Sequence, residues 1–162
     1  MHVQERVSYL IEKLHLLPHP EGGFYSETYR SEISTETNTG HRNLTTAIYF
    51  LLTSENVSKF HRIKSDELWF FHEGSKLTVH TLSKNGHQQL SLGHPSDLVD
   101  SSPQQLVKAH TIFGSSIDEP NSYALVSCVV SPGFDFMDFE LFGEGQLLEQ
   151  YPDHSEIIQK LT

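Results

Sequence analysis

The chain has 162 residues, of which 36% are hydrophobic and 20% are charged, and its formal net charge is −10 at pH 7 with histidines counted neutral. This length and composition are typical of one globular domain spanning residues 1–162, and they exclude a disordered chain or a long membrane-spanning segment. The acidic balance argues against non-specific binding, so neither nucleic acid nor a membrane surface is expected as a partner.

The cysteine count and the first residues bear on the cellular compartment. Cys128 is the only cysteine, which excludes an internal disulfide, and it lies in an apolar run where a small buried hydrophobe is expected. Residues 1–6 lack the basic start and apolar core of a secretion signal. We therefore predict a cytoplasmic location.

The N-terminal third of the chain contains one predicted helix, one strand and one loop. Residues 3–16 carry apolar side chains at helical spacing, and Pro18 stops the pattern, so an amphipathic helix is expected there. Residues 24–31 alternate in the manner of an extended strand. Residues 34–43 are rich in Thr, Asn and Gly and are predicted to form a loop.

The rest of the chain consists of short apolar segments separated by clusters of Asn, Gly, Pro and Ser. The predicted strands lie at about residues 44–53, 57–63, 66–72, 76–82, 87–92, 104–110, 122–131 and 135–142. Many short strands at regular intervals favour a mainly β sandwich or barrel. Residues 145–161, interrupted by Pro152, predict two short closing helices.

One segment, residues 60–74, combines strand character with chemically active side chains. If the run stays extended, His61, Glu67 and Trp69 point to the same side of a sheet. A buried polar pair on an otherwise aromatic face needs an explanation, because burying such groups is costly without partners. This segment is therefore the first candidate for a pocket.

The spacing of His61, Ile63, Glu67 and Gly74 resembles the first signature of the cupin superfamily, which places a histidine pair, a glutamate and a glycine at these intervals. Further segments are similar to one branch of that superfamily, the small uncharacterised cupins of the cupin-5 type: 18–25, 29–31, 48–52, 131–136 and 139–141. The resemblance implies a mainly β jelly-roll (double-stranded β-helix) barrel with an N-terminal helix and short C-terminal helices. It also implies a cavity lined by inward-facing residues and a homodimer.

The chain departs from the superfamily pattern at the positions of metal ligands. Ile63 stands where the second histidine of the first signature is expected, and Phe113 stands where the last ligand of the second signature is expected. Lys108, Ala109 and His110 replace the Pro-Ala-Gly turn that relatives in this branch tend to keep. An aliphatic or phenyl side chain cannot coordinate a cation, so no cofactor is expected, apart from weak or adventitious divalent metal.

Acid–base chemistry without a metal is the first functional hypothesis. His61 is a candidate base because imidazole exchanges protons near neutral pH, and Glu67 or Asp66 is a candidate carboxylate to orient it. Tyr123 is a candidate acid, with Tyr25 and Tyr49 as alternatives. The arrangement is similar to metal-free cupins that epimerise nucleotide-linked keto sugars, and it implies an isomerase or epimerase acting on a sugar-like or polar metabolite.

Binding without catalysis is the second hypothesis, and a metal-dependent cupin enzyme is the third. Aromatic side chains could hold a small-molecule ligand while polar groups fix its orientation, although the same aromatic residues could simply fill the core. Besides the residues already named, the candidate ligand-binding positions are Glu21, Tyr25, Arg30, Tyr49, Trp69 and Phe113. The sequence leaves open whether the protein is an enzyme.

Overall fold

The computed structural model describes residues 2–96 and 100–162 and is mainly β. Its helices are α1 (Val3–Lys13), α2 (Glu144–Gln150) and α3 (Ser155–Lys160), with 3-10 turns at Phe136–Asp138 and Pro152–His154. Its strands are β1 (Leu17–Pro18), β2 (Phe24–Arg30), β3 (Ser34–Thr37), β4 (Gly40–Asn43), β5 (Thr46–Thr53), β6 (Ser58–Arg62), β7 (Asp66–Gly74), β8 (Leu77–Ser83), β9 (Gly86–Leu92), β10 (Gln104–Val107), β11 (Ile112–Ser116), β12 (Tyr123–Ser131) and β13 (Glu140–Leu141).

Two antiparallel sheets form the body of the fold. The larger sheet has the order β1-β2-β5-β12-β7-β10, and the smaller sheet has the order β13-β6-β11-β8-β9. Strands β3 and β4 form a separate hairpin. Apart from β1 and β2, neighbours in the larger sheet are not consecutive along the chain, as in a jelly roll, so the predicted fold class is confirmed.

The main core lies between the two sheets because alternate residues of the strands are apolar. Phe50, Trp69 and Val126 of the larger sheet belong to one buried cluster with Val79 and Phe113 of the smaller sheet. Residues of opposite parity point outward, as strand geometry requires. Where apolar side chains lie on an outer face, another element must cover them.

The terminal segments cover those outer faces. Leu10 of α1 packs with Leu51 and Leu125 on the outside of the larger sheet. Leu147 of α2 and Ile158 of α3 belong to a buried cluster on the outside of the smaller sheet. The predicted N-terminal helix and the two closing helices are therefore confirmed, although α1 ends at Lys13 rather than at residue 16.

The structure corrects the predictions for three segments. Residues 34–43, predicted as a loop, form the hairpin β3–β4. The strand predicted at 104–110 ends at Val107, and the strand β11 follows, which was not predicted. Residues 135–142, predicted as one strand, form a 3-10 turn followed by the two-residue strand β13.

Strand β11 escaped prediction because only its first two residues, Ile112 and Phe113, favour a strand, and the Gly-Ser-Ser that follows resembles a turn. All five residues are nevertheless buried between β6 and β8. A Cβ atom at Gly114 would lie only 2.6 Å from the carbonyl oxygen of Ser58, so glycine permits the close approach of β6. The close approach of the neighbouring strand explains the glycine at position 114, and a single sequence does not reveal such an approach.

The helices of the described residues are all short: α1, with 11 residues, is the longest of them. Within residues 2–96 and 100–162, no helix has the length and apolar character needed to cross a membrane.

Candidate functional site

A cavity of about 200 Å³ opens at the end of the sandwich where β12 ends and β5 and β7 begin. Its walls come from both sheets, from the segment that precedes β2 and from the segment that follows β12. The polar lining groups include His19, Glu21, His61 and Glu67, and these are supplied by three separate parts of the chain. The fold therefore concentrates titratable groups at one end of the space between the sheets.

A buried ion pair between His61 and Glu21 forms the floor of this site. Nε2 of His61 lies 2.8 Å from Oε2 of Glu21, and the side chains are 4% and 9% exposed. Nδ1 of His61 donates to the carbonyl oxygen of Lys59 at 2.6 Å, since a carbonyl can only accept. Both ring nitrogens of His61 therefore carry protons when Glu21 is ionised.

The electrostatics of the pair agree with this assignment. Burial alone would lower the pKa of His61, but the Glu21 carboxylate and the Lys59 carbonyl together raise it above its usual value. Burial alone would raise the pKa of Glu21, but the charge and hydrogen bond of His61 bring it below its usual value. The pair is thus an imidazolium and a carboxylate, each stabilising the charged form of the other.

A double-glycine turn places Glu21 in this position. Gly22 and Gly23 have φ angles of +110° and +76°, which side chains of L-residues rarely adopt. A Cβ atom at Gly22 would lie 2.0 Å from the carbonyl oxygen of Val57. The backbone N–H of Glu21 donates to Nδ1 of His19 at 3.1 Å, so a neutral His19 carries its proton on Nε2. Burial lowers the pKa of His19, which favours that neutral form.

Glu67 approaches the cavity from the opposite sheet. The chain does not remain extended from His61 to Glu67: β6 belongs to the smaller sheet and β7 to the larger, and Ile63 lies in the connection between them. Both side chains still line the same cavity. Their common orientation therefore results from a crossing between two facing sheets, and not from strand alternation on one of them.

Glu67 has a pKa near neutrality. Its side chain is buried, and burial raises its pKa to about 7, opposed by the charge of His61 and reinforced by that of Glu21. The thiol of Cys128 on β12 donates to this carboxylate. Burial also raises the pKa of Cys128 well above its usual value, so the cysteine remains a thiol. Glu67 can hold or release a proton at neutral pH.

The mouth of the cavity combines an exposed ion pair with aromatic rings. Arg30 binds Glu27 through both Nε and Nη2, and it also donates to the side chain of Asn43. Phe134, Phe136 and Phe139, on the segment after β12, form the aromatic side of the opening. The carbonyl oxygen of Phe134 accepts two hydrogen bonds from Arg30, at 3.2 Å each, which joins the two sides.

A second ion pair fixes that aromatic segment against the hairpin β3–β4. Arg42 donates to Asp138 through Nε at 2.7 Å and through Nη2 at 2.8 Å, and both side chains are 8% exposed. Asp138 lies between Phe136 and Phe139 in the sequence. The hairpin, predicted as a plain loop, therefore supports one wall of the cavity.

The turn that replaces Pro-Ala-Gly contains one residue with a left-handed backbone conformation. His110 adopts a φ of +67°, and its N–H donates to the carbonyl oxygen of Ile63 at 3.0 Å. Asp66 stabilises the turn, accepting from the backbone N–H of Ala109 and from Nζ of Lys108 at 2.8 Å each. Asp66 is thus occupied in the turn and does not orient His61.

The structure brings five of the predicted site residues together. His61, Glu67, Glu21, Tyr25 and Arg30 all line the cavity.

The other four predicted residues lie elsewhere. The side chain of Tyr123 donates to Glu73 at 2.6 Å, and Tyr123 and Tyr49 pack against α1 on the outside of the larger sheet. Trp69 and Phe113 are 1% exposed in the main core, and neither lines the cavity. Tyr123 is therefore not placed to act as an acid towards a molecule in the cavity, and strand parity explains the difference.

Sequence reasoning missed several lining residues. His19, Cys128, Phe134, Phe136 and Phe139 all line the cavity but were not among the candidates. Segments 18–25, 131–136 and 139–141 had been singled out by their resemblance to relatives. That resemblance was the sequence signal that could have identified His19 and the three phenylalanines. Their convergence on His61 depends on long-range contacts that the sequence does not specify.

The donors present do not fit a metal site of the superfamily type. His61 has both ring nitrogens engaged, with Glu21 and with the carbonyl of Lys59, so it offers no lone pair to a cation. The ring of Phe113 packs over the ring of His61 at 4.2 Å between centroids. Across residues 2–96 and 100–162, no group of three or more His, Cys, Asp or Glu side chains is arranged to hold a metal ion.

Comparison with known proteins agrees with this architecture. Residues 8–142 match the family model described as Cupin superfamily (DUF985), Cupin_5. The uncharacterized protein YML079W of Saccharomyces cerevisiae is 32% identical over 155 residues, covering 85% of this chain and 76% of its own length.

Two solved structures are closely similar. Protein SO0799 from Shewanella oneidensis has a TM-score of 0.89 and 42% identity, over 100% of this chain and 98% of that one. A hypothetical protein from Leishmania major also has a TM-score of 0.89, with 38% identity over 96% of this chain and 97% of its own. The names of these relatives give no activity. The chain belongs to the Cupin_5 family of the cupin superfamily.

Proposed function

We propose that the cavity binds a small polar metabolite and transfers a proton on it without a metal, as in an isomerisation or epimerisation. The observation that carries this proposal is the pairing of two buried acid–base systems in one cavity: the His61–Glu21 ion pair and Glu67, whose pKa is about 7. An acid or base whose pKa lies near the working pH is the most effective for proton transfer.

Glu67 takes the role that sequence reasoning gave to His61. His61 has no free nitrogen lone pair while it is ion-paired, whereas ionised Glu67 has lone pairs facing the cavity. In the proposed step, Glu67 accepts a proton from a carbon next to a carbonyl group, and the electrons of the broken C–H bond form an enolate. The positive charge of His61 stabilises the enolate oxygen.

The proton then returns to carbon, either at the original position with inverted configuration or at the neighbouring carbon. Tyr25 lines the same cavity and replaces Tyr123 as the candidate proton donor. The cavity volume of about 200 Å³ lies below the range of roughly 300–1,000 Å³ that is usual for drug-sized ligands. A small metabolite, rather than a whole nucleotide sugar, suits this space.

Solvent exchange tests the proposal directly. Small aldoses, ketoses and keto acids would be incubated with the protein in D₂O, and NMR would follow deuterium incorporation next to the carbonyl carbon. We expect exchange that Glu67→Gln abolishes and that chelators leave unchanged. Exchange that persists in Glu67→Gln would remove Glu67 from the mechanism, and exchange restored only by added metal would favour a metal-dependent enzyme.

Ligand binding without catalysis is the second candidate function. It is favoured by the aromatic side of the opening, where Phe134, Phe136 and Phe139 offer contact area without chemical reactivity. A metabolite that raises the melting temperature but shows no exchange in D₂O would support this alternative.

We also propose that the protein forms a homodimer and acts in the cytoplasm. The exposed apolar side chains Leu17, Tyr29 and Ile33, at 66%, 55% and 67% exposure, supply surface that a second copy could cover. Sedimentation equilibrium tests the assembly, and a monomer at micromolar concentration would contradict it.

A further inference from the structure

His19 lines the cavity but has no role in the proton transfer described above. It follows β1 directly, and its side chain is 6% exposed. His61 cannot donate a hydrogen bond to a ligand, because its Nε2 is engaged with Glu21 and its Nδ1 with the carbonyl oxygen of Lys59. The charge of His61 therefore acts on a ligand only through space, and a hydrogen bond to an enolate oxygen is left to another group.

The turn after β1 fixes the tautomer of His19. The backbone N–H of Glu21 donates to Nδ1 at 3.1 Å, so Nδ1 offers its lone pair and the ring proton is on Nε2. Oε2 of Glu21 lies 3.8 Å from Nδ1, which is too far for a hydrogen bond that would hold a second proton there. Burial lowers the pKa of His19; the charge of His61 acts in the same direction, and that of Glu21 opposes them. The ring is therefore a neutral Nε2–H donor.

Backbone and aromatic contacts hold this donor in one orientation. The N–H of His19 donates to the carbonyl oxygen of Gly23 at 2.9 Å, and the carbonyl oxygen of His19 accepts from the N–H of Gly22 at 3.0 Å. The ring of His19 packs edge-to-face against Tyr25 and Phe139, with centroids 4.6 Å and 6.2 Å away. A donor that is already oriented does not have to be reorganised when charge develops on a ligand.

The Nε2–H group itself is unused by the protein. Within residues 2–96 and 100–162, no side chain or carbonyl group accepts a hydrogen bond from Nε2 of His19. The fully enclosed side-chain nitrogen and oxygen atoms without a partner in this part of the chain are Oγ of Ser58, Nε1 of Trp69 and Oγ of Ser115. Nε2 of His19 is not among them, so it retains accessible surface, and the ring borders the cavity. The donor is thus available to a molecule bound there.

We propose that Nε2–H of His19 donates a hydrogen bond to the carbonyl oxygen of the ligand, which makes His19 a further catalytic residue of this site. This inference rests on the proposed function, since it concerns the same enolate-forming step. A preorganised hydrogen bond to a carbonyl oxygen strengthens as negative charge develops there, so a neutral imidazole contributes most at the enolate. His19 keeps its proton in this step, while Glu67 accepts the proton removed from carbon. The two imidazoles beside Glu21 then have distinct roles: His19 donates the hydrogen bond and His61 supplies the positive charge.

Two substitutions separate the donor from the support of the turn. In His19→Asn, the side-chain oxygen can still accept from the backbone N–H two residues later, as in an Asx turn, but the shorter side chain places no donor at the position of Nε2. In His19→Gln, the amide N–H extends to about that position. His41→Asn is the matched control, because it removes an imidazole that is 71% exposed.

The first measurement is solvent exchange in D₂O with the small aldoses, ketoses and keto acids already described. We expect His19→Asn to lower the exchange rate at least 100-fold, as for the loss of one donor to an oxyanion, through kcat with little change in KM. His19→Gln should recover at least tenfold of that loss, and His41→Asn should exchange at the wild-type rate.

The second measurement is NMR of the wild-type protein with ¹⁵N-labelled histidine at pH 7, which needs no variant to be active. Among the eleven histidines, the signal of His19 is the one missing from His19→Asn, or from His19→Gln if the asparagine variant does not fold. We expect the neutral Nε2–H tautomer. Dihydroxyacetone should shift the Nε2–H resonance more than glycerol, which has the same carbon skeleton without the carbonyl group.

The contrary outcomes are distinct for the two proposals. An imidazolium or an Nδ1–H tautomer for His19, or an exchange rate in His19→Asn within threefold of the wild type, would overturn the role of His19 and leave proton transfer by Glu67 standing. Carbonyl compounds that shift the His19 signal without exchanging would support the donor and refute the proton transfer. If no carbonyl compound shifts the signal or exchanges, both proposals fail together.

Discussion

Nε2 of His61 and Oε2 of Glu21 are 2.8 Å apart inside the protein, and the same chain repeats that pairing on its surface. There, Nε2 of His41 lies 2.8 Å from Oε1 of Glu36, with side chains 71% and 70% exposed. Both pairs join an imidazole to a carboxylate at the same distance, so they differ mainly in solvent exposure. This natural comparison separates the effect of burial from the effect of ion pairing.

The first prediction concerns the loss of the buried carboxylate. Glu21→Gln should lower the free energy of unfolding by about 3–5 kcal/mol near neutral pH, because it leaves His61 buried without its counter-charge. The pKa of His61 should fall, since burial then acts without the opposing carboxylate. Urea unfolding measures the first effect, and NMR titration of the His61 ring measures the second.

Glu36→Gln is the matched control for this variant. Exposed ion pairs contribute little because water and salt screen them, so the unfolding midpoint should hardly move. Equal losses in Glu21→Gln and Glu36→Gln would contradict the importance of burial.

The second prediction is a pH window for the contribution of the His61–Glu21 pair. Glu21 has a lowered folded pKa, so its stabilisation is present above its unfolded value of 4.5 and is lost as pH falls through the folded pKa. His61 has a raised folded pKa, so its stabilisation is present below its unfolded value of 6.5 and is lost as pH rises through the folded pKa. The stability difference between the wild type and Glu21→Gln should therefore be largest between pH 4.5 and 6.5. A difference that grows steadily towards high pH would rule out the imidazolium–carboxylate assignment.

The third prediction concerns Glu67, whose ionisation destabilises the folded protein, whereas the ionisation of Glu21 stabilises it. Its pKa rises from 4.5 to about 7 on folding, so the folded protein loses stability as pH rises through this interval. Glu67→Gln should remove this loss. The change in the free energy of unfolding caused by the substitution should be more favourable by about 3 kcal/mol at pH 8 than at pH 4. Urea unfolding of both proteins at the two pH values provides the test. A substitution effect that is the same at both values would show that Glu67 does not titrate in this range.

The fourth prediction concerns the support of the aromatic wall. Asp138→Asn should destabilise the protein and speed proteolytic cleavage within residues 134–140, because Asp138 holds this segment to Arg42 through two hydrogen bonds. Glu140→Gln is the control. Glu140 lies in the same segment and its carboxylate accepts two hydrogen bonds from Arg62 on β6, but the Glu140 side chain is 47% exposed. Cleavage followed by mass spectrometry should separate the two variants several-fold. Equal cleavage rates would show that the buried pair does not hold the wall.

The fifth prediction concerns the turn that departs from the family pattern. His110→Gly should stabilise the protein by about 0.5–1 kcal/mol, because glycine adopts a φ of +67° without the steric cost of a Cβ atom. Ala109→Gly, at a position without a positive φ, should instead destabilise it by a similar amount. Thermal unfolding of both variants measures the difference, and a loss of stability in His110→Gly would show that its side chain is needed in the turn.

Local sequence signals predicted much of the architecture. The helical spacing of residues 3–16, the alternation in the strands and the break at Pro152 all correspond to observed elements, because they depend on neighbours along the chain. Strand β11 and the hairpin β3–β4 were missed for the opposite reason: β11 is defined by crowding against β6 and β8, and the hairpin includes a buried side chain, Arg42, whose partner is Asp138.

The candidate site also has features that the sequence predicted and features that it did not. The spacing of His61 and Glu67 was enough to single out both residues, and Glu21 was among the candidate ligand-binding positions. The sequence could not show that Glu21 neutralises the charge of His61 and accepts its Nε2 proton, because that contact joins two separate segments. Nor could it show that Tyr123 lies outside the cavity while Phe134, Phe136 and Phe139 line it. The sequence by itself determined which side chains are available, whereas the packing of two sheets decided which of them share a low-dielectric space, and the chemistry of these groups depends on that shared burial.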